Sequence, residues 1–532
     1  MMTELRRFAN RRSPDQDARE PAHHPVVIIG AGPVGLTLAL DLARRAVPVV
    51  LIDDSDRIGE GSRAICFAKR TLEIFDRLGL AEGLVAKGIT WQRGRVFRGQ
   101  EQLYEFDLLP EPGHKQPAFI NLQQYYVEAA LADAAAAEAL IDLRWSNRLT
   151  GIQPRSDGAL LTIATPDGPY QLDAGWVVAC DGARSPTRGL LGLEFLGEAF
   201  EDKFLIADVK MQAEFPTERW FWFAPPFHSG QSALLHKQPD DVWRIDLQLD
   251  RDADPEHERQ PEIVRRRIRQ MLGHDDFALE WVSVYRFQCR RLARFVHGPV
   301  AFAGDAAHQV SPFGARGANS GIQDADNLGW KLALVVKGQS PASLIDSYDR
   351  ERVEAAQENI LHSTRATDFI APRSPGERVL RDAALALAGK AGFARRFVNS
   401  GRLSQPTTYL ASPLSTPGPD WQGGLVAGTS FLDAALPSTA GGRQWLSETL
   451  AEGRPVIIAC GLAAEGMTTA AALWVDVPAR DGGDEPLARR YGLTPGDAVV
   501  LRPDGHVAAR FRQATPAQLV AAIERLEGRA AA

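Results

Sequence analysis

Cysteine is scarce in this chain, and long apolar runs are missing altogether. Four cysteines in 532 residues, Cys66, Cys180, Cys289 and Cys460, stand far apart with no C-x-x-C pair. That spacing excludes a disulfide framework and offers no metal-ligand pattern, so buried free thiols, no metal and a reducing cytoplasm are expected. No stretch approaches the roughly 18 consecutive apolar residues of a membrane-spanning helix. Excess positive charge is also absent: the net charge of −7 leaves no basic face for nucleic acid. Residues 1–24 carry Arg6-Arg7 and Arg11-Arg12 but lack the apolar stretch of a secretory or twin-arginine signal, so a disordered tail is expected there. No internal repeat is visible. The length, 532 residues, exceeds what one core can hold and implies two to four domains.

What is present begins at Pro25. The run Val26-Val27-Ile28-Ile29 reads as a buried strand, Gly30-Ala31-Gly32-Pro33-Val34-Gly35 as a glycine-rich turn, and Leu36 to Ala46 as a helix. A second strand, Val49-Val50-Leu51-Ile52, ends on Asp53. Each part suits a dinucleotide. Gly30 permits the tight turn, Gly32 lets backbone approach a pyrophosphate, and Gly35 lets the helix lie on the strand. The helix start, which opens on Pro33, presents the amides that follow it and a positive dipole end to phosphate. An acid at the second strand end accepts from a ribose hydroxyl, which favours FAD or NAD over NADP. The alternative is a tight turn in an ordinary α/β domain.

Further along, Trp176-Val177-Val178-Ala179 is a strand running into Cys180-Asp181-Gly182-Ala183-Arg184-Ser185-Pro186-Thr187-Arg188. Between Lys203 and Tyr285 the texture becomes aromatic and alternating, as in Arg219-Trp220-Phe221-Trp222-Phe223 and Val242-Trp243-Arg244-Ile245-Asp246-Leu247. An antiparallel sheet is expected there, its aromatics serving either as a ligand wall or as core. Pro299-Val300-Ala301-Phe302-Ala303 then leads into Gly304-Asp305-Ala306-Ala307-His308, a loop through Pro312 to Asn319, and a long helix. Strands near Val456, Leu473, Ala498 and Val507 mark a separate C-terminal block.

Three motifs now stand in order: Gly30-x-Gly32-x-x-Gly35, Asp181-Gly182-x-x-Ser185-x-x-Arg188 and Gly304-Asp305-x-x-His308-x-x-x-Pro312. Together they resemble the single-component FAD-dependent aromatic hydroxylases of the p-hydroxybenzoate hydroxylase group. The tail Gly317-x-Asn319-x-Gly321-x-x-Asp324 is most similar to the 3-(3-hydroxyphenyl)propionate hydroxylase and pentachlorophenol monooxygenase branch. One departure is Ser311 before Pro312, where the branch commonly has two prolines. The resemblance implies an α/β chain (α+β overall). A Rossmann-like FAD-binding domain at residues 25–200 and 287–370 would interleave with an antiparallel-sheet substrate domain at 201–286, with further substrate-domain segments near 90–120. A helical linker at 371–417 and a thioredoxin-like domain at 418–532 would follow. With only Cys460 the last would serve packing or homodimer contacts, not thiol exchange.

The resemblance also implies roles. Gly30, Gly32, Pro33 and Gly35 would cradle the FAD pyrophosphate and Asp53 the adenosine ribose. Arg63 would reach the phosphates, Gln124 the ribityl chain, and Asp181 would brace the second turn. Gly304, Asp305, Pro312, Gly317, Ala318 and Asn319 would line the ribityl and isoalloxazine. NADH or NADPH would reduce FAD, and O₂ would add to give a flavin C4a-hydroperoxide that attacks an electron-rich ring of a small aromatic substrate. Such chemistry needs water excluded, the ring held in place and a phenol proton removed. Trp220, Trp222, His228 and Trp243 are the expected substrate wall; His236, Tyr285 and Pro312 are the catalytic candidates, and His308 is a packing residue. Other readings are epoxidation or Baeyer–Villiger-type insertion on the same fold, a flavin-dependent halogenase suggested by Trp220-x-Trp222-x-x-Pro225, and a non-catalytic FAD-binding protein.

Overall fold

The computed structural model describes residues 6–59, 61, 63–398, 403–418, 425–436, 444–462, 464, 472–478 and 485–529. The glycine-rich stretch forms strand β1 (Ala22–Ile29), helix α1 (Pro33–Arg44) and strand β2 (Val49–Ile52). Val26, Val27 and Ile28 have no exposed surface. Both faces of β1 are covered, so it reads as a continuous apolar run instead of an alternating one. Helix α2 (Lys69–Arg77), the hairpin of β3 (Arg93–Arg98) and β4 (Glu101–Asp107), helix α3 (Gln124–Ala137) and strand β5 (Ile141–Arg144) follow. Strand β6 (Gly168–Ala179) then enters beside β1, in parallel, pairing Val177 with Val27.

The chain next leaves for a second sheet. Its strands are β7 (Phe195–Lys210), β8 (Arg219–Phe223), β9 (Ser232–Lys237), β10 (Val242–Leu249) and, after helix α4 (Pro261–Leu272), β11 (Ala278–Leu292). Neighbouring strands run antiparallel except β8 and β3, which pair in parallel and bring the early hairpin in as the sheet's far edge. Strand β12 (Val300–Phe302) returns to the first sheet beside β6, followed by the short strand β13 (His308–Gln309), helix α5 (Gly317–Val336) and helix α6 (Ile345–Ile370). The parallel core therefore reads β12-β6-β1-β2-β5. The return places the loop after β12 at the same strand ends as the glycine turn and Asp181, where ligands bind in open α/β sheets.

Two short helices, Pro375–Ala388 and Gly392–Val398, lead to a C-terminal block. Its sheet is built from β14 (Val456–Cys460), β15 (Leu473–Val477), β16 (Ala498–Leu501) and β17 (Val507–Phe511), in the order β15-β14-β16-β17, with helix α7 (Pro516–Leu526) packed against it. Ions bolt the block to the first unit. Arg502 donates to both Glu351 oxygens at 2.6 and 2.9 Å, Lys331 donates to Glu351 at 2.7 Å, and Arg77 donates to the Pro503 carbonyl at 2.8 Å. Burial alone would raise the Glu351 carboxyl, but Arg502 and Lys331 hold it well below the usual carboxylate range. A second thread runs inward. His506 packs on Tyr409, whose hydroxyl accepts from Arg352 at 2.7 Å, and Arg352 in turn donates to Asp324 at 2.5 Å.

Residues 6–24 correct the expectation of a disordered tail. Phe8 stacks on Trp145 at 4.3 Å, Asp15 accepts from Arg144 at 2.5 Å and sits 2.9 Å from His24, and Ser13 with Gln16 caps a short 3₁₀ turn. A few specific anchors order a segment whose composition is polar; residues 1–5 lie outside the described residues. Among the described residues no helix is long and apolar enough to cross a membrane, and no group of His, Cys, Asp or Glu is placed to hold a metal ion.

Candidate active site

A cavity of about 940 Å³ opens at the ends of β1, β6 and β12 and extends to the inner face of the second sheet. Its first half is built on the glycine turn. Gly30 has φ +104°, and a Cβ there would lie 2.5 Å from the Cys180 carbonyl oxygen. A Cβ on Gly35 would run into the Gly30 carbonyl oxygen, so the close approach of α1 to the strand admits no side chain. A Cβ on Gly32 would meet nothing within 4 Å: the space before the first turn of α1 is open. The amides of that turn have no intrahelical acceptor and, with Gly32 and Pro33 on the cavity wall, suit a phosphate.

Asp53 closes this end. Its carboxylate accepts from the amides of Ala31 at 2.6 Å and Ser55 at 2.9 Å, while burial pushes it up to about 6. Gln124 accepts from the Ala64 amide at 2.9 Å and donates to Glu128 at 2.6 Å, which fixes its side chain at the cavity wall. Arg63 is exposed at the same wall. Asp181 accepts from the Thr187 amide at 2.9 Å through one oxygen; its other oxygen, Oδ1, is buried without a partner, and burial raises the carboxyl. An unpaired buried acceptor beside an open glycine turn fits a ligand rich in hydroxyls and phosphates.

The loop after β12 supplies the floor. Gly304 has φ +61°, and a Cβ there would lie 2.9 Å from Val34 Cγ2, which also sits 2.7 Å from where a Gly321 Cβ would stand. Val34 thus fills the notch that lets α5 press on α1. Asp324 accepts from the Gly304 amide at 2.9 Å and lies 2.6 Å from His308 Nε2, so His308 braces the loop, as expected of a packing residue. Asp305 is open to the cavity although protein surrounds it, and the loss of bulk water raises its carboxyl against the pull of His308 and Arg63. Pro312, Gly317 and Ala318 line the cavity. Asn319 lines it too, but its side chain is spent on Cys66 and Ala315 carbonyls, the Ala68 amide and Thr71, leaving only backbone to face a ligand. Gly35 and Gly304 stand behind the wall and act through backbone fit.

At the far end the cavity meets the second sheet, and here the tryptophan wall needs correction. Trp222 and Trp243 belong to a buried cluster on the opposite face, with Val264 and Ile268 of α4. Trp220 packs against the same cluster, and the His228 ring lies 2.6 Å from the Gln248 carbonyl. None of the four lines the cavity. Alternation decides this: Trp220 pairs with Leu235 and Trp222 with Ala233 on the outer face, which leaves Arg219 and Phe221 on the inner one. The run suggesting a halogenase therefore has its tryptophans turned away.

The inner face carries Phe204, Ile206, Leu234 and Phe287 with the candidates His236 and Tyr285, and beside them three polar residues that were not expected, Arg219, Arg244 and Asp246. Arg244 grips Asp208 at 2.8 and 2.9 Å. His236 Nδ1 is buried without a partner, and burial, then Arg219 and Arg244, drive the imidazole well below its ordinary range, keeping it neutral. Burial raises the Tyr285 phenol. The sequence did hold a signal for Arg244 and Asp246, though none for Arg219: charges alternate with buried apolar residues in Arg244-Ile245-Asp246-Leu247, a pattern that turns them toward one face.

Residues 23–363 match the family described as FAD binding domain, and residues 426–530 the one described as aromatic-ring hydroxylase, C-terminal. The 6-methylpretetramide 4-monooxygenase of Streptomyces rimosus is 33% identical over 534 residues, covering 94% of this chain and 93% of that protein. A 3-(3-hydroxy-phenyl)propionate/3-hydroxycinnamic acid hydroxylase of Mycolicibacterium smegmatis is 29% identical over 391 residues, covering 73% of this chain and 69% of that protein. Among solved structures, the flavin-dependent monooxygenase PieE in complex with FAD and substrate has the same fold, with a TM-score of 0.80 at 22% identity over 96% of this chain and 100% of that one.

Proposed function

Since the chain belongs to the FAD-dependent aromatic-ring hydroxylases, we propose that it uses NADH or NADPH and O₂ to hydroxylate a small aromatic molecule in the far half of this cavity. The observation that carries the reading is one continuous cavity, lined at one end by the glycine turn and Asp53 and at the other by aromatic and apolar side chains of the second sheet. Gly30, Gly32 and Pro33 would receive the FAD pyrophosphate at the α1 dipole, Asp53 the adenosine ribose, and Arg63 a phosphate oxygen. Gln124, Asp181 and Asp305 would face the ribityl hydroxyls and the turn that holds them. Bound there, FAD supplies the electron store and oxygen activation that amino-acid side chains lack.

The chain's own residues do the rest. The first turn of α5 offers amides where negative charge develops, which stabilises it without reorganisation. Phe204, Leu234, Phe287 and Phe313 supply the apolar part of the far half, from which a ring displaces water as it enters. His236, held neutral, lies under the ring on the cavity wall, and Tyr285 stands beside it as a hydrogen-bond donor. Pro312 fixes the loop between the two halves.

Purified protein should be yellow. With a panel of phenols it should show substrate-stimulated NAD(P)H oxidation and a product carrying ¹⁸O from ¹⁸O₂. A fully flavin-loaded protein that yields only H₂O₂ with every phenol tested would sink the hydroxylase reading.

A further inference from the structure

Six arginines buried in this protein each hold a carboxylate: Arg70, Arg77, Arg144, Arg244, Arg352 and Arg502. Arg316 holds Asn359. Arg219 holds nothing among the described residues, although it is only 9% exposed and lines the far half of the cavity. On the same face Asp246 Oδ1 is buried without a hydrogen-bond partner, and Arg244 and Arg219 act on this carboxylate through charge. These two opposite charges do not close on each other. They sit on β8 and β10 with β9 between and are offset by two residues along the strands, so their backbones stand roughly 12 Å apart. Arg244, the other cation of the group, is occupied by Asp208.

A buried cation and a buried carboxylate left unpaired within one cavity are costly unless something arrives to pair them. Resting on the hydroxylase reading, we propose that Arg219 and Asp246 form a two-point clamp for a neutral aromatic nucleus that carries both a carbonyl and a hydroxyl. The carbonyl oxygen accepts from the Arg219 guanidinium, and the hydroxyl donates to Asp246. Between them His236 and Leu234 on β9 form the floor against which the ring lies. The clamp has no net charge, and this selects the ligand. An ionised carboxylate in place of the carbonyl would satisfy Arg219 but bring a second negative charge toward Asp246, whereas a simple phenol would leave Arg219 unpaired.

The test is a binding titration on the FAD-loaded full-length protein, read from the flavin absorbance. Four probes share one ring size: 3-hydroxyacetophenone, 3-ethylphenol without the acceptor, acetophenone without the hydroxyl, and 3-hydroxybenzoate with an ionised acceptor. The wild type should bind 3-hydroxyacetophenone about tenfold or more tighter than each of the others. Arg219→Gln should erase the advantage over 3-ethylphenol, with Arg219→Lys restoring part of it. Asp246→Leu should erase the advantage over acetophenone and relieve the discrimination against 3-hydroxybenzoate. Equal wild-type affinity for all four probes, or variants that weaken every probe alike, would overturn the clamp. Turnover separates the two readings. Selective binding without NAD(P)H oxidation leaves the clamp standing and removes the hydroxylase; stimulated oxidation by 3-ethylphenol without selective binding does the reverse.

Discussion

Gly32 and Gly35 stand three residues apart and have opposite tolerance for a methyl group. At Gly35 the methyl meets backbone that cannot yield, so Gly35→Ala should destabilise the apoprotein by ~1–3 kcal/mol or more, seen as a lower Tm. At Gly32 the methyl enters open space. Gly32→Ala should leave the apoprotein Tm unchanged while raising the Kd for FAD, because the occupied space is the ligand's. Asp53 gives a pH dependence. Burial pushes its carboxyl up to about 6. A ribose hydroxyl donates to the charged form, so binding lowers that value and releases a proton. FAD affinity should therefore fall as the pH drops below about 6 and level off above it, and Asp53→Asn should flatten the profile measured from pH 5 to 8. The glycines were legible in the sequence because their constraint is local: a tight turn and a helix laid on a strand follow from adjacent residues. Arg219 was not legible. Whether an arginine faces water or a cavity depends on strands that pair with it from distant parts of the chain.

The second sheet shows the same limit one level up. Alternation and aromatic content were enough to expect an antiparallel sheet. The side each tryptophan faces was not legible, because Arg219-Trp220-Phe221-Trp222-Phe223 is largely apolar on both faces and either could have met the ligand. Helix α4 settles the matter by covering the tryptophan face with Val264 and Ile268. Trp222→Ala should accordingly cost ~3–5 kcal/mol of stability in a denaturant titration. It should leave the affinity of the folded fraction for 3-hydroxyacetophenone within twofold of wild type. A large loss of affinity with unchanged stability would return Trp222 to the cavity.

Across the whole molecule, the interleaving of units was implied by the resemblance, while the change of texture after Lys203 and the separate late strands were readable in the sequence. The attachment of the block was not, since Arg502, Glu351 and Lys331 look like surface charges in sequence and meet only when three elements pack. Arg502→Met removes the buried partner of Glu351 and Asp504 and should cost ~3–5 kcal/mol, with the protein's unfolding transition shifted as one. The thread from His506 through Tyr409 and Arg352 to Asp324 has a further consequence. Asp324 carries the Gly304 amide and His308, so one chain of contacts joins the block to the cofactor loop. Thermodynamic linkage makes their influence mutual: whatever affinity FAD gains from a docked block, the block gains in docking from FAD. Saturating FAD, ~2.7 kcal/mol of stabilisation at a hundred times its Kd, should slow proteolysis of residues 426–530 far from the cavity. In Arg352→Met that protection should shrink while the protease sites themselves are unchanged.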